Sequence, residues 1–294
     1  MIQDPRGAVD YDEGGSGPTL VLVPGSCGTG AAWRPVISAL GSGFRCVTTS
    51  LPGYGGTAER RSADDPSIAR LAESVEAVVR RTAASVHLVG HSFGGLVATV
   101  VALRKQVALA SLAVLEAPAV MSLRDRPDDA HHYRAFRDMT DAYFARFASG
   151  DREAIRLMID FYGGTGTFAS WPDRVRAYAM DTTVVNIRDW ESAFGFPLSA
   201  EVFAKMEIPS LVGWGGNSHP AAQRANALLA ESMGASRSVT IAGAAHFMIA
   251  THATEVAAII SNHVADVAEG HSTHRHHATH TDVGTEASRL LCTN

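Results

Sequence analysis

The chain has 294 residues, 46% of them hydrophobic and 19% charged, with a formal net charge of −5. That is enough apolar material for one sizeable core with an insertion, and mild acidity without a basic stripe argues against a nucleic-acid partner. Three cysteines, Cys27, Cys46 and Cys292, have neither the number nor the spacing of a disulfide framework or a metal site. The N-terminal stretch MIQDPRGAVDYDEGG lacks a signal-peptide core, and no run of about 18 apolar residues predicts a membrane span. These features predict a cytoplasmic protein, a monomer or homodimer, that does not engage membranes.

In chain order, residues 8–13 and 19–23 flank the turn GGSGP and read as a hairpin. Residues 31–40 have helical spacing, 44–49 form a short β-branched run ending in the loop SLPGYGG, and 68–81 return to helical spacing. Residues 86–89 are a buried-strand candidate followed by Gly90, then a helix at 96–104 and a strand at 111–115. This alternation predicts an α/β fold: a mostly parallel sheet covered by helices on both faces. From about 121 to 206 the pattern changes to aromatic-rich helices such as HHYRAFRDMTDAYFARF, with TTVVNI as a candidate short strand. Strand patterns at 209–214 and 238–241 and an amphipathic helix at 254–267 complete the core. The expected organisation is a core of 1–119 and 207–268 and a helical cap of 120–206. A tail follows at 269–294, in which HSTHRHHATH reads as disordered.

Chemistry concentrates in VHLVGHSFGGLVATVVAL, which contains G-x-S-x-G as Gly90, His91, Ser92, Phe93 and Gly94. The motif follows a strand pattern and precedes a helix pattern. A tight turn there forces Ser92 into a strained conformation and lifts its hydroxyl clear of the sheet edge. The helix N-terminus places positive potential beneath a developing anion, towards which the Phe93 N–H can point. An ordinary helix-capping serine needs neither the flanking glycines nor the apolar strand.

At GHSFGG the sequence resembles the α/β-hydrolase superfamily, over roughly residues 8–119 and 209–267. The resemblance implies the α/β-hydrolase fold with a helical cap, a triad in the order Ser, acid, His, and an oxyanion hole shared with an earlier loop. That loop follows TLVLV as Pro24, Gly25, Ser26 and Cys27, where relatives commonly have His-Gly. The chemistry needs a backbone N–H after the glycine, so Ser26 is the expected second donor, its hydroxyl offering a further contact. Cys27 reads as a small half-buried residue.

His246, in IAGAAHFMIATH between the last strand and the closing helix, occupies the position of the family's histidine. A neutral imidazole there can accept the Ser92 proton; His252 competes but falls at the helix start. Most relatives place the acid after the penultimate strand. Here LVGWGGNSHPAA offers Ser218 in that position, beside Asn217 and His219. Glu116, which ends the strand SLAVLEAP, is the expected acid; many haloalkane dehalogenases and certain lipases of this superfamily carry it there. A carboxylate directly after an apolar strand is costly to bury without a partner. The alternative is a neutral hydrogen bond from Asn217 or Ser218, with Asp181 and Asp189 as remoter candidates in the cap.

Met121, Tyr162 and Phe247 are the candidate substrate-binding side chains, since small-molecule pockets are mainly apolar. The expected activity is hydrolysis of a small or medium, largely apolar ester through an acyl-enzyme on Ser92, with no metal or organic cofactor. A C–C bond hydrolase, lactonase, amidase or acyltransferase would use the same triad, and a non-catalytic ligand receptor can share the scaffold.

Overall fold

The computed structural model describes residues 1–62, 64–197 and 199–270. The tail expected to be disordered lies, from residue 271 on, outside the described residues.

Strands β1 (Ile2–Asp4) and β2 (Gly7–Val9) form a small antiparallel pair. The main sheet contains β3 (Asp12–Gly14), β4 (Thr19–Val23), β5 (Arg45–Thr48), β6 (Val86–His91), β7 (Leu109–Leu115), β8 (Ser210–Gly215) and β9 (Ser236–Ile241). Its spatial order is β3-β5-β4-β6-β7-β8-β9, and every neighbouring pair is parallel except β3 with β5. The expected hairpin around GGSGP is therefore corrected. All five residues of β4 are buried, and the strand takes parallel partners on both edges, β5 and β6, so none is left for β3.

Three helices interleave with the first strands: α1 (Arg34–Leu40), α2 (Ala69–Thr82) and α3 (Phe93–Arg104). Between β7 and β8 lie α4 (Ala130–Ala148), α5 (Ile155–Gly163), the short α6 (Thr167–Ser170), α7 (Asp173–Asp181), α8 (Thr183–Phe194) and the short α9 (Ala200–Phe203). Helix α10 (Pro220–Ser232) joins β8 to β9, and α11 (Met248–Thr251) and α12 (Ala253–Ala268) follow β9. TTVVNI is helical, the start of α8. Its buried residues Thr183, Asn186, Asp189, Trp190, Ser192 and Ala193 recur at helical spacing, and that face decides over the local β-branched run.

The period-two alternation of the strands divides the core. Leu20 and Leu22 of β4 pack with Trp33, Val36, Val256 and Ile260 of the α1 and α12 side, whereas Val21 and Val23 pack with Leu71, Val75 and Val97 of the α2 and α3 side. Helix α3 is buried almost all round, from Phe93 to Ala102, as expected for a helix covered by both the sheet and its neighbours. The helices between β7 and β8 share the core of the α2 and α3 side through Phe136, Tyr143, Tyr162 and Trp190.

Candidate active site

The central parallel strands β6 and β7 are each followed directly by a polar residue, Ser92 and Glu116. Backbone pairing continues one step past the strands: Ser92 N–H donates to Leu115 O at 2.9 Å, and Glu116 N–H to Gly213 O at 2.7 Å. Residues 92, 116 and 214 thus stand side by side at the carboxyl edge of the sheet, where open α/β sheets bind ligands.

Ser92 has φ 55° and ψ −130°, immediately before α3. Only very close packing allows that turn. A Cβ on Gly90 would sit 2.3 Å from Gly94 O, and a Cβ on Gly94 2.3 Å from Pro24 O. Gly25 is equally constrained, since a Cβ there would lie 2.8 Å from Ser92 Cβ and 3.2 Å from its Oγ. Backbone strain of this kind costs of order 1–3 kcal/mol and persists only where the surroundings enforce it.

His246 lies in the loop between β9 and α11 and is buried. Its Nε2 is 2.9 Å from Ser92 Oγ and its Nδ1 is 2.8 Å from Glu116 Oε1. Glu116 is fully buried, and its second oxygen accepts from Gly215 N–H at 2.9 Å and from the Ser218 hydroxyl at 2.5 Å. Burial pushes this carboxyl up, but the His246 hydrogen bond and charge, with the Gly215 and Ser218 bonds, more than offset that and hold it below the ordinary carboxylate value. An ionised Glu116 can only accept. The imidazole hydrogen therefore sits on Nδ1, and the Nε2 lone pair is left facing the Ser92 hydroxyl.

Of the neutral alternatives, Ser218 hydrogen-bonds Glu116 and not His246, and Asn217 Nδ2 donates to Gly243 O at 3.1 Å. His91, the second residue of the G-x-S-x-G motif, supports the loop of His246. Its Nε2–H donates to the His246 carbonyl at 2.7 Å, and burial with the neighbouring His246 charge drives it down to about 3, so it stays neutral. His252 pairs with the exposed Thr251 hydroxyl, and His219 caps α10 and stacks on Phe161 at 3.9 Å. Asp181 forms an exposed ion pair with Arg152.

The loop after β4 corrects one expectation. The Ser26 hydroxyl donates to Asp189 Oδ2 of α8 at 2.5 Å and is not free to donate to an oxyanion. Its backbone N–H remains the group of interest, and Ser26 and Phe93 both line the cavity over Ser92. Asp189 also accepts from Tyr54 Oη at 2.6 Å and from Arg61 Nη1 at 2.8 Å, with both ion-pair partners buried. Burial pushes its carboxyl up to about 6, against the pull of Arg61, Ser26 and Tyr54. Sequence reasoning missed this anchor because Tyr54, Arg61 and Asp189 meet only through the tertiary fold. Burial also pushes the Cys27 thiol up to about 12, which leaves it unreactive.

The cavity is small, about 30 Å³, and its wall carries Phe93, Pro118, Met158, Ile159, Trp171 and Phe247. Tyr162, also on that wall, packs its ring 4.7 Å from His246, and Trp171 meets Phe247 edge-on at 5.0 Å. Met121 does not line the cavity. It sits in the turn Ala119–Leu123 and packs against the core, because the chain bends away after Pro118.

Comparison with known proteins identifies the family and the fold. Residues 20–259 match the model of the alpha/beta hydrolase family. A pimeloyl-acyl-carrier-protein methyl ester esterase from Aeromonas salmonicida is 34% identical over 118 residues, 40% of this chain and 45% of that protein. The chain thus spans less than half the length of that relative. Among solved structures, an esterase from Thermogutta terrifontis superposes with a TM-score of 0.70 at 19% identity, covering 88% of this chain and 93% of its own. A hydrolase from Oleispira antarctica gives 0.69 at 17% identity, covering 87% and 95%. These likenesses carry the fold.

Proposed function

The chain belongs to the alpha/beta hydrolase family, and from that premise we propose that it is a serine hydrolase of small or medium, largely apolar carboxylic esters. The observation that carries this reading is the unbroken line of hydrogen bonds from Ser92 Oγ through His246 to Glu116. The esterases it resembles in sequence support the choice of ester among the acyl substrates, and the apolar wall of the cavity supports the substrate's character.

In this mechanism, His246 Nε2 takes the Ser92 proton as Oγ attacks the ester carbonyl, and Glu116 stabilises the imidazolium that forms. The Phe93 and Ser26 N–H groups receive the negative charge on the carbonyl oxygen; loss of one such donor typically costs about 3 kcal/mol of transition-state stabilisation. Collapse of the tetrahedral species breaks the ester C–O bond, and His246 returns the proton to the departing alcohol. A water, activated by the same imidazole, then releases the acid and regenerates Ser92. The cavity volume of about 30 Å³ holds little more than one water. Admission of an ester therefore requires the wall formed by Tyr162, Trp171 and Trp190 to yield.

The test is a panel of esters, lactones and amides offered to the wild type and to Ser92→Ala. Ester turnover by the wild type that is abolished in Ser92→Ala supports the proposal. Turnover confined to amides or lactones would move the substrate class, and turnover that survives in Ser92→Ala would reject the nucleophile.

A further inference from the structure

The cavity is mostly apolar, yet two residues of its wall carry buried hydrogen-bond donors with no protein acceptor among the described residues. Tyr162 Oη and Trp190 Nε1 have no hydrogen-bond partner among the described residues. Tyr162 is 2% exposed and Trp190 5%, so bulk solvent does not reach them to supply the missing acceptors. Buried polar groups are almost always paired, and an orphan carries the full cost of its lost hydration. The remaining buried atoms without a partner, on Trp33, Arg60, Arg156, Asn226 and His263, belong to residues that do not line this cavity. The two orphans that do lie together: their rings stack at 6.2 Å and 13°.

Their position ties them to the chemistry. The Tyr162 ring is 4.7 Å from the His246 ring, whose Nε2 is 2.9 Å from Ser92 Oγ. Asn186, one turn before Trp190 on α8, lines the same cavity and is oriented by the Tyr143 hydroxyl at 2.9 Å. The Tyr162 phenol stays protonated, because burial and the nearby Glu116 charge push it well above its ordinary value. It can therefore serve as a donor across the working pH range.

Resting on the ester-hydrolase reading, we propose that the substrate carries a neutral oxygen acceptor outside the scissile ester group, and that this oxygen docks on the Tyr162 hydroxyl and the Trp190 indole N–H. A site with buried donors discriminates against a purely hydrocarbon analogue, which leaves those donors unpaired. The acceptor can sit on either side of the scissile bond, in the acyl chain or in the alcohol.

Two pairs of isosteres separate the sides. In the first, methyl 4-oxopentanoate is compared with methyl 4-methylpentanoate; in the second, acetonyl butanoate with isobutyl butanoate. For each pair, the ratio of kcat/KM for the keto ester to that for its hydrocarbon partner is measured in the wild type and in Tyr162→Phe. The variant keeps the ring against His246 and loses only the hydroxyl, and intrinsic reactivity cancels between the two proteins. The ratio should fall roughly tenfold in Tyr162→Phe, the scale of one lost hydrogen bond, and the pair in which it falls identifies the side that carries the oxygen. A ratio unchanged within about twofold in both pairs would overturn the proposal and leave Tyr162 a packing residue. The same ratios, read as binding of the four esters to Ser92→Ala with and without Tyr162→Phe by quenching of intrinsic tryptophan fluorescence, do not need turnover. If the wild type hydrolysed none of them, the ester reading would fail, and the binding ratios would still decide the docking by the same criterion.

Discussion

Two buried carboxylates flank the cavity, and they lie on opposite sides of the ordinary range. Glu116, on the core, is drawn down by His246, Gly215 and Ser218 in spite of complete burial. Asp189, on the helix above, is pushed up to about 6 although Arg61, Tyr54 and Ser26 all donate to it. At Glu116 the partners outweigh desolvation; at Asp189 desolvation outweighs the partners. The comparison separates two uses of a buried charge. Glu116 holds the tautomer and orientation of His246, whereas Asp189 ties the loop of Ser26 to helix α8.

Glu116→Gln breaks the comparison most severely. With the His246 tautomer no longer enforced, kcat should fall by about 10³- to 10⁴-fold, measured at saturating ester near neutral pH. Ser218→Ala removes a supporting hydroxyl and should lower kcat less than about tenfold. A near-silent Glu116→Gln would show that the imidazole needs no charged partner.

Asp189→Ala strips the buried Arg61 of its inward partner and leaves Glu59 as its remaining carboxylate. It should cost about 3–5 kcal/mol of stability in a urea titration, and Asp189→Asn less. A loss below about 1 kcal/mol would reduce the network to a surface-like contact.

The smallest effect is one of sign. Between pH 3.8 and about 6, native Asp189 holds a proton that the unfolded chain has released, so its contribution is fully present at the acid end and is lost as pH rises. Glu116 behaves oppositely, its contribution being present above 4.5 and lost as pH falls through its lowered native value. Asp189→Asn should therefore compare better with the wild type at pH 7 than at pH 4. Glu116→Gln should compare worse at pH 7 than in acid. Parallel slopes for the two variants in urea titrations across this range would erase the distinction.

Local pattern made much of the fold readable in advance. The alternation of strands and helices gave the parallel sheet, since buried parallel strands are short apolar runs wherever they occur. The pairing of β3 with β5 was not readable, because strand partners are chosen across the sheet and not along the chain. Within the site, Ser92 stood out through Gly90 and Gly94, and Glu116 through a charge at the end of an apolar strand. Both have positive φ, as does Cys27 on the third loop. The other non-glycine residues with positive φ among the described residues, Ala83 and Lys105, merely end helices. His91, Ser218 and Asp189 carried no such mark. Their partners lie 155, 102 and 163 residues away in sequence, and no spacing rule reaches that far.

The central claim is that Ser92 is activated by the imidazole behind it, and its most direct test is covalent labelling by a fluorophosphonate, read by mass spectrometry on the peptide that contains Ser92. The account predicts one equivalent bound at Ser92, none in Ser92→Ala, and labelling slower by at least about 10³-fold in His246→Ala. Labelling of another residue, or a rate in His246→Ala equal to that of the wild type, would contradict it.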